Sequence, residues 1–394
     1  MTAFTADKSD QKQEVGKYTT FKEIKRQPRL WRETIGIIKD KREEINSFLN
    51  KALSKEGLRI IIAGAGSSAF VGDSVATYLD AKLKHRVETI ATTDIVSNPD
   101  VYFKSDVPTL LISCARSGNS PESVATVELA ESIIKDLYQI FITCNPNSNL
   151  MKKAQIDVNK LLLLMPEDSN DQGFAMTGSF TSMVLASLLI FDLDNLEELE
   201  KRTLTIADTG EWILENHMDT VFDITYNDMN RAIFLGSNSL NGLAEESALK
   251  VLELTGGCIV TNSDTSLGFR HGPKSILDDK TIVFSYISNN KYTRQYEIDL
   301  LKEIKREGGH TKVVAISNGY YDEIKELVDN YIYISDEEHK DQEDVFLLFN
   351  YLLYAQLFAI IKSVELGKNP DNPCPEGIVN RVVQGVKIYP YTYK

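Results

Sequence analysis

The sequence is short of paired cysteines, of histidines, of basic charge and of long apolar runs. Its four cysteines, Cys114, Cys144, Cys258 and Cys374, lie far apart and form no C-x-x-C pair. This argues against a disulfide framework or a cysteine zinc cage and fits a reducing cytoplasm. The opening residues, MTAFTADKSDQKQEVGK, are polar and hold no apolar leader, so no secretory signal is expected. The most continuous apolar stretch, residues 183–191, is about half of the ~20 residues a membrane span needs. Lysine and arginine number 43 against 57 aspartates and glutamates, a formal net charge of −14. Neither nucleic acid nor an anionic membrane is an expected partner. A small phosphorylated ligand stays open, because a helix N-terminus can hold an anion on an acidic protein.

With 394 residues, 42% of them hydrophobic and 25% charged, the chain reads as a globular protein with more than one core. Apolar strands alternate with helical patterns. LRIIIAG, HRVETIA, VPTLLISCA, QIFITCN and KLLLLMP are strand-like, and small-residue turns lead from several of them into helices. This order predicts a parallel sheet covered on both faces. The pattern returns at RAIFLGSNSLNGLAEESALKVLEL, KTIVFSYISNN and TKVVAISNG. The expected organisation is an N-terminal helical extension (1–50), two related α/β domains (51–200 and 215–370) and a C-terminal tail (371–394).

Two strand ends in the first domain carry possible chemistry. Gly64-Ala65-Gly66-Ser67-Ser68-Ala69 matches G-x-G-x-x-A between a strand and a helix, and Glu88 follows at about the twenty-residue distance of a ribose-binding acid. A nicotinamide enzyme is one reading; a glycine turn for close packing is another. The second strand end, SCARSGNSPES (113–123), shifts the balance. Ser117, Gly118, Asn119 and Ser120 have no role in a dinucleotide fold, whereas a phosphate accepts many hydrogen bonds at a helix start. A cap on the following helix would use Ser120 or Asn119 alone. The second domain's counterpart, SYISNNKYTRQ, lacks the Ser-Gly step.

In the second domain, NGLAEESALKVLELTGG reads as one helix closed by Gly256-Gly257. Glu246, Lys250 and Glu253 fall on one face. Spacing alone favours a solvated charged stripe, worth about 0.3–0.5 kcal/mol per exposed pair. Of the five histidines, His85, His217 and His339 sit in charged or linker segments and His310 follows a double glycine. His271 lies in SLGFRHGPKSIL, before a proline-started turn. There it can serve as an acid or base near neutral pH or merely brace its loop.

GAGSSA, SCARSGNSPES, EESALKVLEL and FRHGP, in that order, resemble the sugar isomerase (SIS) domain proteins. The chain looks most like their tagatose-6-phosphate ketose/aldose isomerase group, also described as galactosamine-6-phosphate deaminase/isomerase. The resemblance covers the chain from about residue 25. It implies two tandem doubly wound parallel-sheet domains, flavodoxin-like three-layer sandwiches. It implies a phosphosugar isomerase acting on a hexose 6-phosphate, with no cofactor and no metal. Glu253 would move a proton between C1 and C2, with Lys250 one turn before it. His271 would open the sugar ring from a neighbouring subunit, hence at least a homodimer. Ser67, Ser68, Ser117 and Ser120 would hold the phosphate, with Arg116, Asn119, Thr177 and Arg381 around it.

The chain departs from the synthase-type relatives at Ala115, Arg116, Met176-Thr177-Gly178 and Asn380-Arg381. Ser113 could replace the hydroxyl that Ala115 lacks. No amidotransferase segment or N-terminal cysteine is present, so glutamine-driven synthesis is not expected. A non-catalytic sugar-phosphate-binding regulator remains the alternative, and it would need neither Glu253 nor His271.

Overall fold

The computed structural model describes residues 8–154, 157–225, 228–309, 311–335, 342–383 and 385–392. His310 and His339 fall outside them. The chain forms two compact bodies. The first comprises residues 26–171, 176–205 and the segment from 377 onward; the second comprises residues up to 25, 172–175 and 206–376.

The first body is built on a five-stranded sheet of β1 (Arg59–Gly64), β2 (Arg86–Ala91), β3 (Thr109–Ala115), β4 (Leu137–Thr143) and β5 (Lys160–Leu164), in the order β2-β1-β3-β4-β5. Every pairing is parallel. The second body repeats the design with β6 (Arg231–Leu235), β7 (Val260–Asp264), β8 (Thr281–Tyr286), β9 (Lys312–Gly319) and β10 (Asn330–Ser335), in the order β10-β9-β8-β6-β7. These pairings are parallel too. Read from the other edge, this is the same flavodoxin-like winding. Parallel strands are buried on both faces, which explains the near-continuous apolar runs in IIIAG, TLLISCA and TIVFSY.

Each body closes its own core. Ile61, Leu111, Ala130 and Ile133 pack together in the first. Ile233, Val283, Ile298 and Leu301 do so in the second. The Asp344–Glu365 helix is long and apolar enough to cross a membrane, yet 94% of its most apolar window is buried inside the structure. It is a core helix, and the Ser239–Leu254 helix packs against it. The expected single N-terminal helix is divided: Thr19–Asp40 and Arg42–Leu53 meet at Lys41, and Lys8–Gly16 precedes them.

Winding reverses between β1 and β3 in one sheet and between β6 and β8 in the other. At such a reversal two adjacent strands send their chains to opposite faces, and a crevice opens at their carboxyl ends. Both serine-rich turns of the sequence stand at the first of these crevices.

Candidate active site

At the first crevice, β1 runs through Gly64-Ala65-Gly66 into the Ser67–Lys82 helix. A Cβ on Gly64 would lie 2.2 Å from the Ser68 carbonyl oxygen, so only glycine lets strand and helix approach this closely. Ser67 and Ser68 open the helix and are both buried. Opposite them, β3 leads into residues 116–120 and then the Pro121–Ile133 helix, with proline at its first turn. Gly118 has φ 60°, and a Cβ there would meet the Ser148 side chain at 2.6 Å.

The 116–120 loop is held from behind by the β4 exit. Asn145 Nδ2 donates to the Ser117 carbonyl (2.9 Å), Leu150 N to the Gly118 carbonyl (3.2 Å) and Asn149 N to Asn119 Oδ1 (2.8 Å). Asn119 therefore braces the loop. Ser120 caps the helix: its Oγ accepts from Ser123 N at 3.4 Å and lies 2.6 Å from Ser123 Oγ. The capping role weighed for Ser120 is thus present, and it accounts for neither Ser117 nor Gly118. Ser113, the suggested substitute hydroxyl, lies within β3; its buried Oγ has no hydrogen-bond partner.

The arginines form a chain around this loop. Arg116 is buried and donates from Nη2 to the Arg381 carbonyl at 2.7 Å. The Arg381 guanidinium in turn donates to the Asp171 carbonyl. Asp171, fully buried, was not singled out in the sequence. Its carboxylate accepts from Thr177 N (2.8 Å), Thr177 Oγ1 (2.8 Å), Ser179 N (2.9 Å) and Ser179 Oγ (2.6 Å), with Arg26 at 3.7 Å. Both donors of Thr177 are thereby used on Asp171. In this conformation Thr177 starts the Gly178–Leu189 helix and offers no proton to a ligand. Burial pushes the thiols of Cys114 and Cys144 up to about 12, which keeps them protonated and unreactive.

The dinucleotide reading fails on Glu88. It pairs in register with Ile61, in the first half of β1, and its carboxylate takes the Arg59 Nε–H. A ribose-binding acid belongs at the carboxyl end of its strand.

In the second body the charged stripe is not solvated. Glu246 and Lys250 are 0% and 1% exposed, while the Glu253 side chain keeps 25% exposure. Lys250 Nζ lies 2.5 Å from Glu253 Oε2 and 3.6 Å from Glu246 Oε1. The expectation of a surface stripe ignored how much of the Ser239–Leu254 helix its neighbours cover. The helix ends as expected, with Gly256 and Gly257 at positive φ and Gly257 N donating to the Leu252 carbonyl at 2.9 Å. The ammonium fixes Glu253 with one carboxylate edge still reachable, the arrangement a proton-transfer base requires.

His271 stands apart from that pair and forms no hydrogen bond or ion pair with Glu253 among the described residues. It is exposed, ahead of Gly272 (φ 128°) and the short Pro273–Ile276 turn. The loop beneath it is rigid, because Arg270 and Lys274 both clamp Glu303. Those cations hold the Glu303 carboxyl below its ordinary pKa.

The second crevice differs from the first. The β6 turn keeps the geometry: a Cβ on Gly236 would lie 2.1 Å from the Leu240 carbonyl oxygen, and Asn238 has φ 58° where Gly66 has 56°. The β8 loop, however, is filled from within. Ser288 N donates to Glu297 Oε2 at 2.8 Å; the Ser288 hydroxyl and Asn289 N (2.8 Å) donate to Asp344. Burial pushes the Glu297 carboxyl up to about 7. The Asp344 carboxyl is raised as well, again by burial. The sequence reading missed both acids. Glu297 had a signal: it extends the stripe of Ile298, Leu301 and Ile304 back along one helix face.

No group of three or more His, Cys, Asp or Glu side chains placed to hold a metal ion occurs among the described residues.

Two α/β bodies of one winding, one with serine-rich turns at its strand ends and one with a Glu-Lys-Glu cluster around a buried lysine, define a duplicated α/β protein. The SIS domain family model matches residues 52–191 and 196–361, and the chain belongs to that family. Its relatives are specific. The D-galactosamine-6-phosphate deaminase of Escherichia coli is 42% identical over 94% of this chain and 96% of its own. The crystal structure of the tagatose-6-phosphate ketose/aldose isomerase from Escherichia coli is 40% identical, covers 95% of this chain and 97% of its own, and superposes with a TM-score of 0.88. A Clostridium novyi crystal structure, 53% identical over 97% of both chains, gives 0.94.

Proposed function

We propose that this protein is a phosphosugar isomerase that deaminates D-galactosamine 6-phosphate to tagatose 6-phosphate and ammonia. The observation that carries the reading is the buried Lys250 holding a reachable Glu253. A sensor that only bound sugar phosphates would gain nothing from burying such charges, since isolated buried ion pairs rarely stabilise a fold. The relatives' activities supply the substrate.

The phosphate sits at the first crevice, on Ser67, Ser68, Ser117 and Ser120, with Arg116 adding positive charge and Asn119, Thr177 and Arg381 shaping the walls. His271, exposed on its clamped loop, reaches the sugar of a neighbouring subunit and assists ring opening. The protein is thus a homodimer or higher oligomer, and as a sugar-phosphate enzyme without a disulfide framework it works in the cytoplasm. Glu253 takes the proton from C2 of the open-chain aldose, giving an enolamine. The proton is returned at C1, leaving an imine at C2. Water adds to C2, ammonia leaves, and the ketose remains. The substrate's own carbonyl and imine take up the developing charge, so the step calls for no added cofactor.

The test is ammonia release and ketose formation from galactosamine 6-phosphate, beside glucosamine 6-phosphate, with no cofactor added. Ammonia from the galacto substrate supports the reading. Binding of both without turnover of either would replace it with a regulator's role.

A further inference from the structure

The duplicated fold provides two strand-end crevices. We infer that the second, between the ends of β6 and β8, is a phosphate cradle sealed by the chain's own carboxylates, so that each chain offers one phosphate site and not two. The inference extends the reading of the first crevice as a phosphate site, but stands on geometry of its own.

Three observations carry it. First, the β6 turn is conformationally the β1 turn: a glycine against the helix's carbonyl, then a left-handed residue, then a helix opening on a buried serine, Ser239. A left-handed asparagine in place of glycine costs backbone energy, so this shape is imposed and not accidental. Second, the donors that would meet a phosphate are present and point at carboxyl oxygens. Ser288 N, the Ser288 hydroxyl and Asn289 N all donate to carboxylates drawn from two different helices, Lys291–Glu307 and Asp344–Glu365. Third, the fit is incomplete. Glu297 is fully buried and its Oε1 lacks a well-formed hydrogen bond, although the Ser237 side chain stands beside it. The carboxylate therefore fills the crevice without gaining a well-formed donor for each of its oxygens.

The surrounding groups are consistent with a filled anion site. Arg294 donates to the carbonyls of Ser288 (3.0 Å) and Asn289 (3.1 Å) and lies over the Tyr321 ring at 4.1 Å. Tyr351 donates to the Ile287 carbonyl at 3.1 Å. These contacts hold the loop's carbonyls outward, leaving its N–H groups to the carboxylates.

The experiment counts inorganic phosphate per chain by titration calorimetry and maps it by amide hydrogen exchange. Wild type is compared with Glu297→Ser/Asp344→Asn, each with and without Ser68→Ala/Ser117→Ala in the first crevice. The expected result is one more phosphate per chain in Glu297→Ser/Asp344→Asn, with slowed exchange at residues 236–239 and 287–290. This gain should persist when the first crevice is disabled. If wild type binds none and that variant binds one, the first-crevice reading fails while the inference stands. An unchanged count in the folded variant overturns the inference. Should that variant not fold, the wild type still decides: phosphate that slows exchange at 287–290 would show the crevice already open, and no slowing there is the expected outcome.

Discussion

The two crevices share a winding, a glycine-tight turn and a left-handed residue at the same place, yet they answer the same geometric problem in opposite ways. A parallel sheet that reverses its winding leaves unpaired N–H groups at its strand ends. The first body places Ser67, Ser68 and Ser117 on the turns at its strand ends, and no carboxylate accepts from the 116–120 loop N–H groups among the contacts described. The second brings in Glu297 and Asp344. A fold therefore does not commit a crevice to a ligand; the side chains sent into it do. The lesson extends to the buried charges. The second body tolerates the Glu246-Lys250-Glu253 cluster because each charge faces an opposite one, whereas the acids of its crevice rely mostly on neutral donors.

The sharpest separation of the two bodies comes from Glu253→Gln. It should lower kcat for ammonia release by about 10²–10⁴-fold while phosphate still raises the melting temperature as in wild type, as the proposal of a phosphate site on the first body's turns requires. Equal turnover in that variant would remove Glu253 from the chemistry. Next in size is Lys250→Met, which leaves Glu246 buried without its cation. Denaturant unfolding should show a loss of about 3–5 kcal/mol; a loss below about 1 kcal/mol would return the stripe to the surface-pair class.

The sealed crevice has its own signature in pH. Glu297 starts from an ordinary value of 4.5 and is raised to about 7 in the fold. Its contribution to stability is fully present below pH ~4.5 and is lost as pH rises through ~7, because the folded state then holds a proton that the unfolded chain has released. The span corresponds to about 3 kcal/mol. Chemical denaturation across this window should show the decline in wild type and a flatter profile in Glu297→Gln. The smallest contrast is between single hydroxyls. Ser117→Ala should raise KM by about ten- to a hundred-fold, the worth of one hydrogen bond to a charged group. Ser288→Ala should leave KM near the wild-type value; a matched rise would mean that both crevices meet the substrate.

Much of this was legible in the sequence. The apolar strands, the small-residue turns and the repeat in the second half led directly to two parallel sheets. The SCARSGNSPES segment was legible as a strand-to-helix turn, and the structure gives Asn119 and Ser120 structural uses there as a loop brace and a helix cap. What stayed hidden depended on loop closure and on long-range convergence. Asp171 meets Thr177 and Ser179 only once a loop has turned back on itself. Asp344 reaches Ser288 across 56 positions. Glu297 looked like one more charge in KYTRQYEIDLLKEIKRE until its place on the buried face was seen. The burial of Lys250, though not the residue itself, was hidden for a different reason: helical periodicity gives the faces of a helix, but not how many of them neighbouring elements will cover.

The division of the chain between bodies bears on how the protein is made. Residues from 377 onward complete the first body, although the whole second sheet is translated before them, and residues up to 25 complete the second, although the whole first sheet is translated between them and it. Neither half can finish when its own sheet has been synthesised. Residues 8–25 must wait for a partner some two hundred positions away, and the arginine relay through Arg381 closes only after both sheets have emerged. A nascent chain stalled before residue 377 would hold a second body ready to fold and a first one still lacking its final strip, so the body whose sheet is made first finishes last.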